Sequence, residues 1–219
     1  MIRAIITGST GMVGEGVLHE CLSHPEVESI LVINRRPCGI SHPKLKEIIH
    51  KDFYDLSPIQ DQLKGYNACF YCLGITSLRM KEEEYHKLTY SLTVYFGETL
   101  LAQNKEMTFC YISGAGTDNT GKAKNMWVRV KGEVESKLLS MPFKNAYMFR
   151  PGLMKPTKGL KNTLTVYKVL GFMIPLFRLL FPNFVCTLKE VGVAMINAAN
   201  KGYDKSELEV KDIVDLAKK

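Results

Sequence analysis

The sequence predicts an α/β protein built on a doubly wound parallel sheet, and three observations carry that prediction. The chain opens with an apolar run, Ile2, Ala4, Ile5 and Ile6, that leads into Gly8-Ser9-Thr10-Gly11-Met12-Val13-Gly14 and then into a helical stretch over residues 12–22. Strand-length apolar runs then alternate with helical stretches as far as Arg150. No internal repeat or low-complexity linker interrupts the alternation. With 219 residues the chain is long enough for one large domain and too short for a second full one.

Taken in order, the first run reads as a strand buried on both faces, because it is apolar without alternation. The glycines after it read as a tight turn. Glycine is needed there so that the backbone can take unusual dihedrals and a pyrophosphate can approach main-chain N–H groups at the positive end of the helix. Residues Gly8, Ser9, Thr10, Gly11, Met12, Val13 and Gly14 are therefore expected to form a dinucleotide cradle. Further strands are predicted at residues 29–34, 48–51, 67–73, 107–113 and 146–150. Helices are predicted at 82–104 and 124–139, with a short helical turn at 57–63. A doubly wound sheet binds its ligand beyond the carboxyl ends of the strands, so function is sought in the glycine loop and in residues 34–37, 52–53, 74–76 and 113–117.

About 20 residues past the glycine loop, an NAD-binding sheet usually places a carboxylate for the ribose 2′-hydroxyl. This chain has Asn34-Arg35-Arg36 instead. Guanidinium groups pair with a 2′-phosphate and stack on adenine, so NADP is the expected cofactor. Asp52 and Phe53, after the third strand, are placed to meet the adenine.

The net charge is +7, and the Lys and Arg residues are spread along the chain with no dense basic block. It reads as a basic surface that also attracts an anionic cofactor, and nucleic acid is not expected as a partner. Six cysteines lack disulfide-scaffold spacing and read as free thiols in a reducing compartment. The chain opens on its first strand without a secretory leader, which gives an expectation of a cytoplasmic protein. Cys69 and Cys72 lie three apart on a predicted strand, hence on opposite faces, and cannot easily share a metal. The five histidines show no ligand spacing, so no metal site is expected; His86, on the crossover helix, is a candidate for the substrate side.

Thr7-Gly8-Ser9-Thr10-Gly11-Met12-Val13-Gly14, Asn34-Arg35-Arg36, Cys72-Leu73-Gly74-Ile75-Thr76, Val130-Lys131-Gly132-Glu133-Val134-Glu135 and Phe149-Arg150-Pro151-Gly152 together resemble the atypical and extended short-chain dehydrogenase/reductases. The likeness is to the small branch of Tat-interacting protein oxidoreductases and epimerase-like proteins, and it runs over nearly the whole chain. It implies a Rossmann-like sheet in which the Gly8 loop holds the pyrophosphate and Arg35 and Arg36 the 2′-phosphate. It also implies Leu73 and Gly74 on the adenosine side, and Pro151 and Gly152 at the nicotinamide end. The superfamily's catalytic pattern is a serine ending the fifth strand, then Tyr-x-x-x-Lys on the next helix.

Ser113 and Lys131 match that pattern, and Trp127 stands where the tyrosine belongs. A tyrosine one turn from a lysine has its phenol pKa lowered by the ammonium. An indole N–H donates a hydrogen bond but does not cycle a proton near neutral pH. Three explanations stay open: NADP binding without chemistry, in a sensor or regulator with a protein partner; an acid supplied by another group such as Tyr90 or Tyr111; or a register in which the indole is a plain core residue.

The last third is the substrate side by the same resemblance, with residues 152–219 contributing it as a small helical appendage. Residues 164–186 are unusually apolar, yet the uncharged run between Lys168 and Arg178 is shorter than the ~20 residues a membrane-crossing helix needs. It reads as a lid helix kinked at Pro175, with an apolar substrate pocket, a homodimer face or a peripheral membrane contact as alternatives. Residues 189–200 resemble a packing helix that closes the fold. The chain leaves little room for a sugar-nucleotide lobe. Two functions follow: an NADP-dependent oxidoreductase on a small apolar carbonyl substrate, or a noncatalytic NADP-binding sensor.

Overall fold

The computed structural model describes residues 1–163 and 173–219, apart from the side chain of Pro175. In chain order its strands are β1 (Ile2–Thr7), β2 (Val27–Asn34), β3 (Leu45–Ile49), β4 (Ala68–Tyr71), β5 (Thr108–Ile112), β6 (Asn145–Arg150), β7 (Leu153–Lys155), β8 (Val185–Thr187) and β9 (Glu207–Glu209). Its α-helices are α1 (Met12–Ser23), α2 (Glu82–His86), α3 (Leu92–Gln103), α4 (Met126–Ser140), α5 (Ile174–Leu180), α6 (Leu188–Lys201) and α7 (Val210–Leu216). A parallel sheet runs β3-β2-β1-β4-β5-β6-β9, and β7 and β8 form a separate parallel pair.

The central strands are buried on both faces, and successive residues feed two cores. Strands β1 and β2 make the point: Ala4, Ile6, Ile30 and Val32 pack beneath α1, α6 and α7, while Ile5, Leu31 and Ile33 pack beneath the 3-10 turn at Ser57–Leu63, α3 and α4. Removing each large side chain of this kind from water is worth about 1.5–3 kcal/mol, which makes this two-sided burial the main force holding the layers together. Cys69 faces the second core and Cys72 packs against the first, the opposite placement that their spacing predicts.

Several elements differ from the sequence prediction. The third strand lies at Leu45–Ile49, three residues earlier than expected, because an edge strand tolerates the charged Lys46 and Glu47 that disguise it. The helix predicted over 82–104 is broken by a π turn at Lys87–Ser91, which keeps Tyr85, Thr89 and Leu92 buried while His86 and Tyr90 stack with ring centroids 4.7 Å apart. Pro175 sits in the first turn of α5, so it opens that helix and does not kink it; its missing N–H is not needed there. The rest of the lid prediction, over 164–172, lies outside the described residues.

The C-terminal region is also less of an appendage than expected. Helix α6 packs against α1, β9 extends the main sheet beside β6, and α7 closes the first core. A capping box between Thr187 and Glu190 starts α6. Among the described residues, 151–163 and 173–187 are what stands apart from the main sheet.

Candidate nucleotide-binding and catalytic site

The strand order reverses at β1, whose neighbours are β2 on one side and β4 on the other, and in a sheet of this kind the ligand crevice lies beyond the carboxyl ends of those strands. Gly8 turns the chain out of β1 with φ +70°, and a Cβ there would lie 2.6 Å from the Cys72 carbonyl oxygen of the facing strand end. A Cβ on Gly14 would run into the Gly8 carbonyl, so the first turn of α1 sits directly against the loop. The Gly11 N–H closes the loop on the Gly8 carbonyl at 2.9 Å. Helix α1 has no side-chain cap at its N-terminus, which leaves first-turn N–H groups facing the crevice. Glu15, in that turn, would oppose an anion, but its two carboxylate oxygens accept the N–H groups of Lys161 and Asn162 at 2.8 and 2.7 Å.

The turn after β2 is tied to the glycine loop. Buried Ser9 donates to Asn34 Oδ1 at 3.0 Å, Asn34 Nδ2 donates to Glu47 Oε1 at 2.7 Å, and the Cys38 N–H donates to the same oxygen at 2.9 Å. Glu47, which belongs to no motif, thus fixes the loop carrying Arg35 and Arg36. Arg35 lines a cavity of about 120 Å³ with Lys51, Asp52, Phe53, Leu73 and Gly74. Arg36 is exposed and does not line it. Phe53, which lines the cavity, is buried against Phe96. Asp52 accepts the Tyr54 N–H at 2.9 Å and so also shapes its own turn. A Cβ on Gly74 would meet open space, and the Leu73 N–H donates to Thr7 Oγ1 at 3.2 Å, locking β4's end to β1's.

At the end of β5, Ser113 is buried and its hydroxyl donates to the Phe149 carbonyl at 3.1 Å. Lys131 of α4 donates to the Ser113 and Ile112 carbonyls at 2.5 and 3.3 Å, with Nζ 5.8 Å from the centre of the Tyr111 ring. Burial pulls its pKa down to about 8, against a smaller opposing pull from Glu135. Trp127 lies one turn earlier on α4, only half-buried, and a Cβ on Gly114 would sit 3.5 Å from its Cζ3. The indole is therefore beside Ser113's loop and is not a core residue, which removes the third explanation for it.

The two tyrosines fare differently from expectation. Tyr111 is sealed in the core, which keeps its phenol away from any substrate, and desolvation raises its pKa well above the ordinary value. Tyr90 lines a separate cavity with His86, Asp118, Arg129, Glu133 and Lys137, on the face of α4 away from Lys131. His86 stands there too, 3.1 Å from Glu133.

Pro151 and Gly152 link the site to the C-terminal stretch. The Pro151 carbonyl accepts the Ala115 N–H at 2.9 Å, and a Cβ on Gly152 would collide with the Phe184 carbonyl. Glycine at 152 is thus explained by chain crossing. Just before them, Arg150 is held by fully buried Glu135 at 2.5 Å and by Glu207 and Glu209 at 3.1 and 3.2 Å, and these carboxylates raise its already high pKa. Both Arg150 and Glu135 fall within motifs visible in the sequence, but their partnership crosses separate elements and has no sequence signal.

This geometry is a Rossmann-like α/β fold, the fold found in solved short-chain dehydrogenase/reductase and epimerase structures. Solved structures of that kind superpose over nearly the whole chain: a Helicobacter pylori ADP-L-glycero-D-manno-heptose-6-epimerase with TM-score 0.68 and 17% identity, covering 99% of this chain and 80% of that one. A short-chain dehydrogenase/reductase superfamily protein from Agrobacterium tumefaciens, with bound NAD, gives TM-score 0.67 and 10% identity over 97% of this chain and 81% of that one. Among curated proteins, the chain is similar to the mitochondrial protein FMP52-1 of Scheffersomyces stipitis, 26% identical over 232 residues that span the full length of both. It is also similar to HTATIP2 of Rattus norvegicus, 24% identical over 151 residues, 68% of this chain and 61% of that protein. No family model matches. The expectation of a cytoplasmic protein is overturned by the first group of relatives, which are named as mitochondrial.

Proposed function

We propose that this chain binds NADP and acts as an oxidoreductase on a small apolar carbonyl compound. The observation that carries the reading is Arg35 at the mouth of the adenosine-side cavity, next to a glycine cradle that only backbone can line. In this reading the free N–H groups of the Gly8 loop and of the first turn of α1 hold the pyrophosphate, and Ser9, Thr10 and Gly11 frame it. Arg35, with Arg36 behind it, takes the 2′-phosphate; Leu73, Gly74 and Phe53 bound the adenosine, and Pro151 and Gly152 the nicotinamide end. The cofactor supplies or accepts hydride when bound. Lys131 holds the ribose hydroxyls, and Ser113 turns its hydroxyl from Phe149 to the substrate oxygen. With Tyr111 sealed in and Trp127 unable to release a proton, Lys131, at a pKa of about 8, is the proton source beside Ser113.

The second reading, a noncatalytic NADP-binding sensor that answers to a protein partner, is favoured by Trp127 in the tyrosine's place. Titration with NADPH and NADH, followed by absorbance at the nicotinamide band with a panel of aldehydes and ketones, separates the two. Carbonyl-dependent oxidation of NADPH, with a pH profile that bends near 8 and is lost in Lys131→Met, is the oxidoreductase result. NADPH binding without turnover is the sensor result. Failure to bind either nucleotide overturns both.

A further inference from the structure

The +7 net charge is not evenly distributed. The basic residues are spread along the chain, but the acidic ones are not: between Pro151 and Lys189 there are six Lys or Arg and no Asp or Glu, so this stretch carries six of the seven net charges. Lys155, Lys158, Lys161 and Lys189 are exposed. Parallel pairing sets Lys155 opposite Thr187, the cap residue of α6, two positions before Lys189.

The same stretch displays most of the exposed large apolar side chains among the described residues. Leu176, Phe177, Leu179 and Leu180 of α5, with Phe181 and Phe184 just after it, are 40–78% exposed. At about 100° per residue, the four helical ones sweep an arc of about 160°. That is wider than the stripe a helix usually hides against its own core, and here it faces outward. Arg178, on the other side of the helix, is paired with Glu190 at 2.5 Å and Ile174 is buried, so the helix is anchored to the body by its remaining face.

We propose that this surface docks on an anionic phospholipid bilayer, with the leucines and phenylalanines of α5 and the turn after it set among the acyl chains at the interface and the exposed lysines of the same stretch on the headgroups. Two properties select that occupant. A bilayer wets a whole convex arc of side chains, whereas a protein groove receives one stripe of a helix. A stretch with lysines and no Asp or Glu of its own suits a negative surface, and it disfavours a second copy of this chain, since a twofold contact would set one basic face against another. Among the described residues no helix is long and apolar enough to cross a membrane, so the contact is peripheral. Docking of this kind is independent of the nucleotide chemistry.

The test is flotation of the full chain with vesicles of phosphatidylcholine alone and of phosphatidylcholine with phosphatidylglycerol. The expected result is cofloating with the anionic vesicles only, weakened by salt. Leu179→Asp combined with Leu180→Asp should lower the partition by at least about tenfold, and Lys155→Glu combined with Lys158→Glu by about tenfold, with thermal unfolding by circular dichroism unchanged. Absence of wild-type flotation, or flotation equal in the Leu179→Asp/Leu180→Asp variant, overturns the proposal. So does a lipid-free dimer that this variant dissolves in light scattering, because the face would then belong to a second copy.

Discussion

The crevice between β1 and β4 and the stretch from Pro151 to Lys189 are built by opposite means. The crevice is defined by what cannot fit: at Gly8 and Gly14 one backbone lies so close to another that a single methyl has no room. The C-terminal stretch is defined by side chains turned to the outside, the apolar arc of α5 and its lysines. The first arrangement needs specific residues at specific spacing and tolerates little; the second needs only composition and tolerates much. Recognition of a nucleotide is a task for the first kind of construction, and contact with an extended surface for the second.

The contrast breaks most visibly at Arg150, where the sheet hands over to the C-terminal stretch. Arg150→Met leaves Glu135 buried without a counter-charge and should cost about 3–5 kcal/mol in chemical denaturation. A loss below about 1 kcal/mol would show that the ion cluster around Arg150 does not hold the junction. Next, Gly14→Ala should cost about 1–3 kcal/mol and abolish nucleotide binding, because the clash is with backbone. Gly11→Ala, whose Cβ would stand 3.4 Å from the Gly8 carbonyl, should leave stability nearly as in the wild type, its cost falling on the approach of the pyrophosphate. Equal losses of stability from the two substitutions, measured by chemical denaturation, would remove the steric account of the cradle.

A smaller effect concerns pH. Lys131 has a folded pKa of about 8, below the ~10.4 of an unfolded lysine, because burial disfavours its charge. Below pH 8 both states carry the proton and the cost of burying it is present in full. Between about 8 and 10.4 the unfolded chain holds the proton that the folded one has released, so this residue's contribution raises stability as pH rises. Lys131→Met should flatten that rise in urea midpoints taken across the window. The smallest effect is expected on the C-terminal stretch: Leu179→Ala, at 78% exposure, should change stability by no more than about 0.5 kcal/mol. A larger loss would mean that α5 packs against the body through Leu179.

Much of the fold is legible from residues alone, for reasons the structure makes plain. Strands β1, β2, β4, β5 and β6 are largely buried on both faces and announce themselves as apolar runs, and the glycine loop is readable because its steric demand admits one residue type. The short strands β7, β8 and β9 escape sequence reasoning because three residues carry no period, and β9 reads as Glu-Leu-Glu, polar around a single buried leucine. The roles of Glu15, Glu47 and Glu135 are equally hidden. Each does its work through partners 9 or more residues away, so nothing local marks it. The acid-free stretch from Pro151 to Lys189 is plain in the sequence once carboxylates are followed as closely as lysines and arginines.

Trp127 is the chain's only tryptophan and stands beside Ser113 and Lys131, which makes it a built-in reporter for the most direct measurement: its emission during titration with NADPH and with NADH. The account predicts saturable quenching with energy transfer to the nicotinamide, at lower concentration for NADPH than for NADH, and a preference that Arg35→Ala weakens by about tenfold. Unchanged Trp127 emission with both nucleotides would contradict the assignment of this crevice as a dinucleotide site.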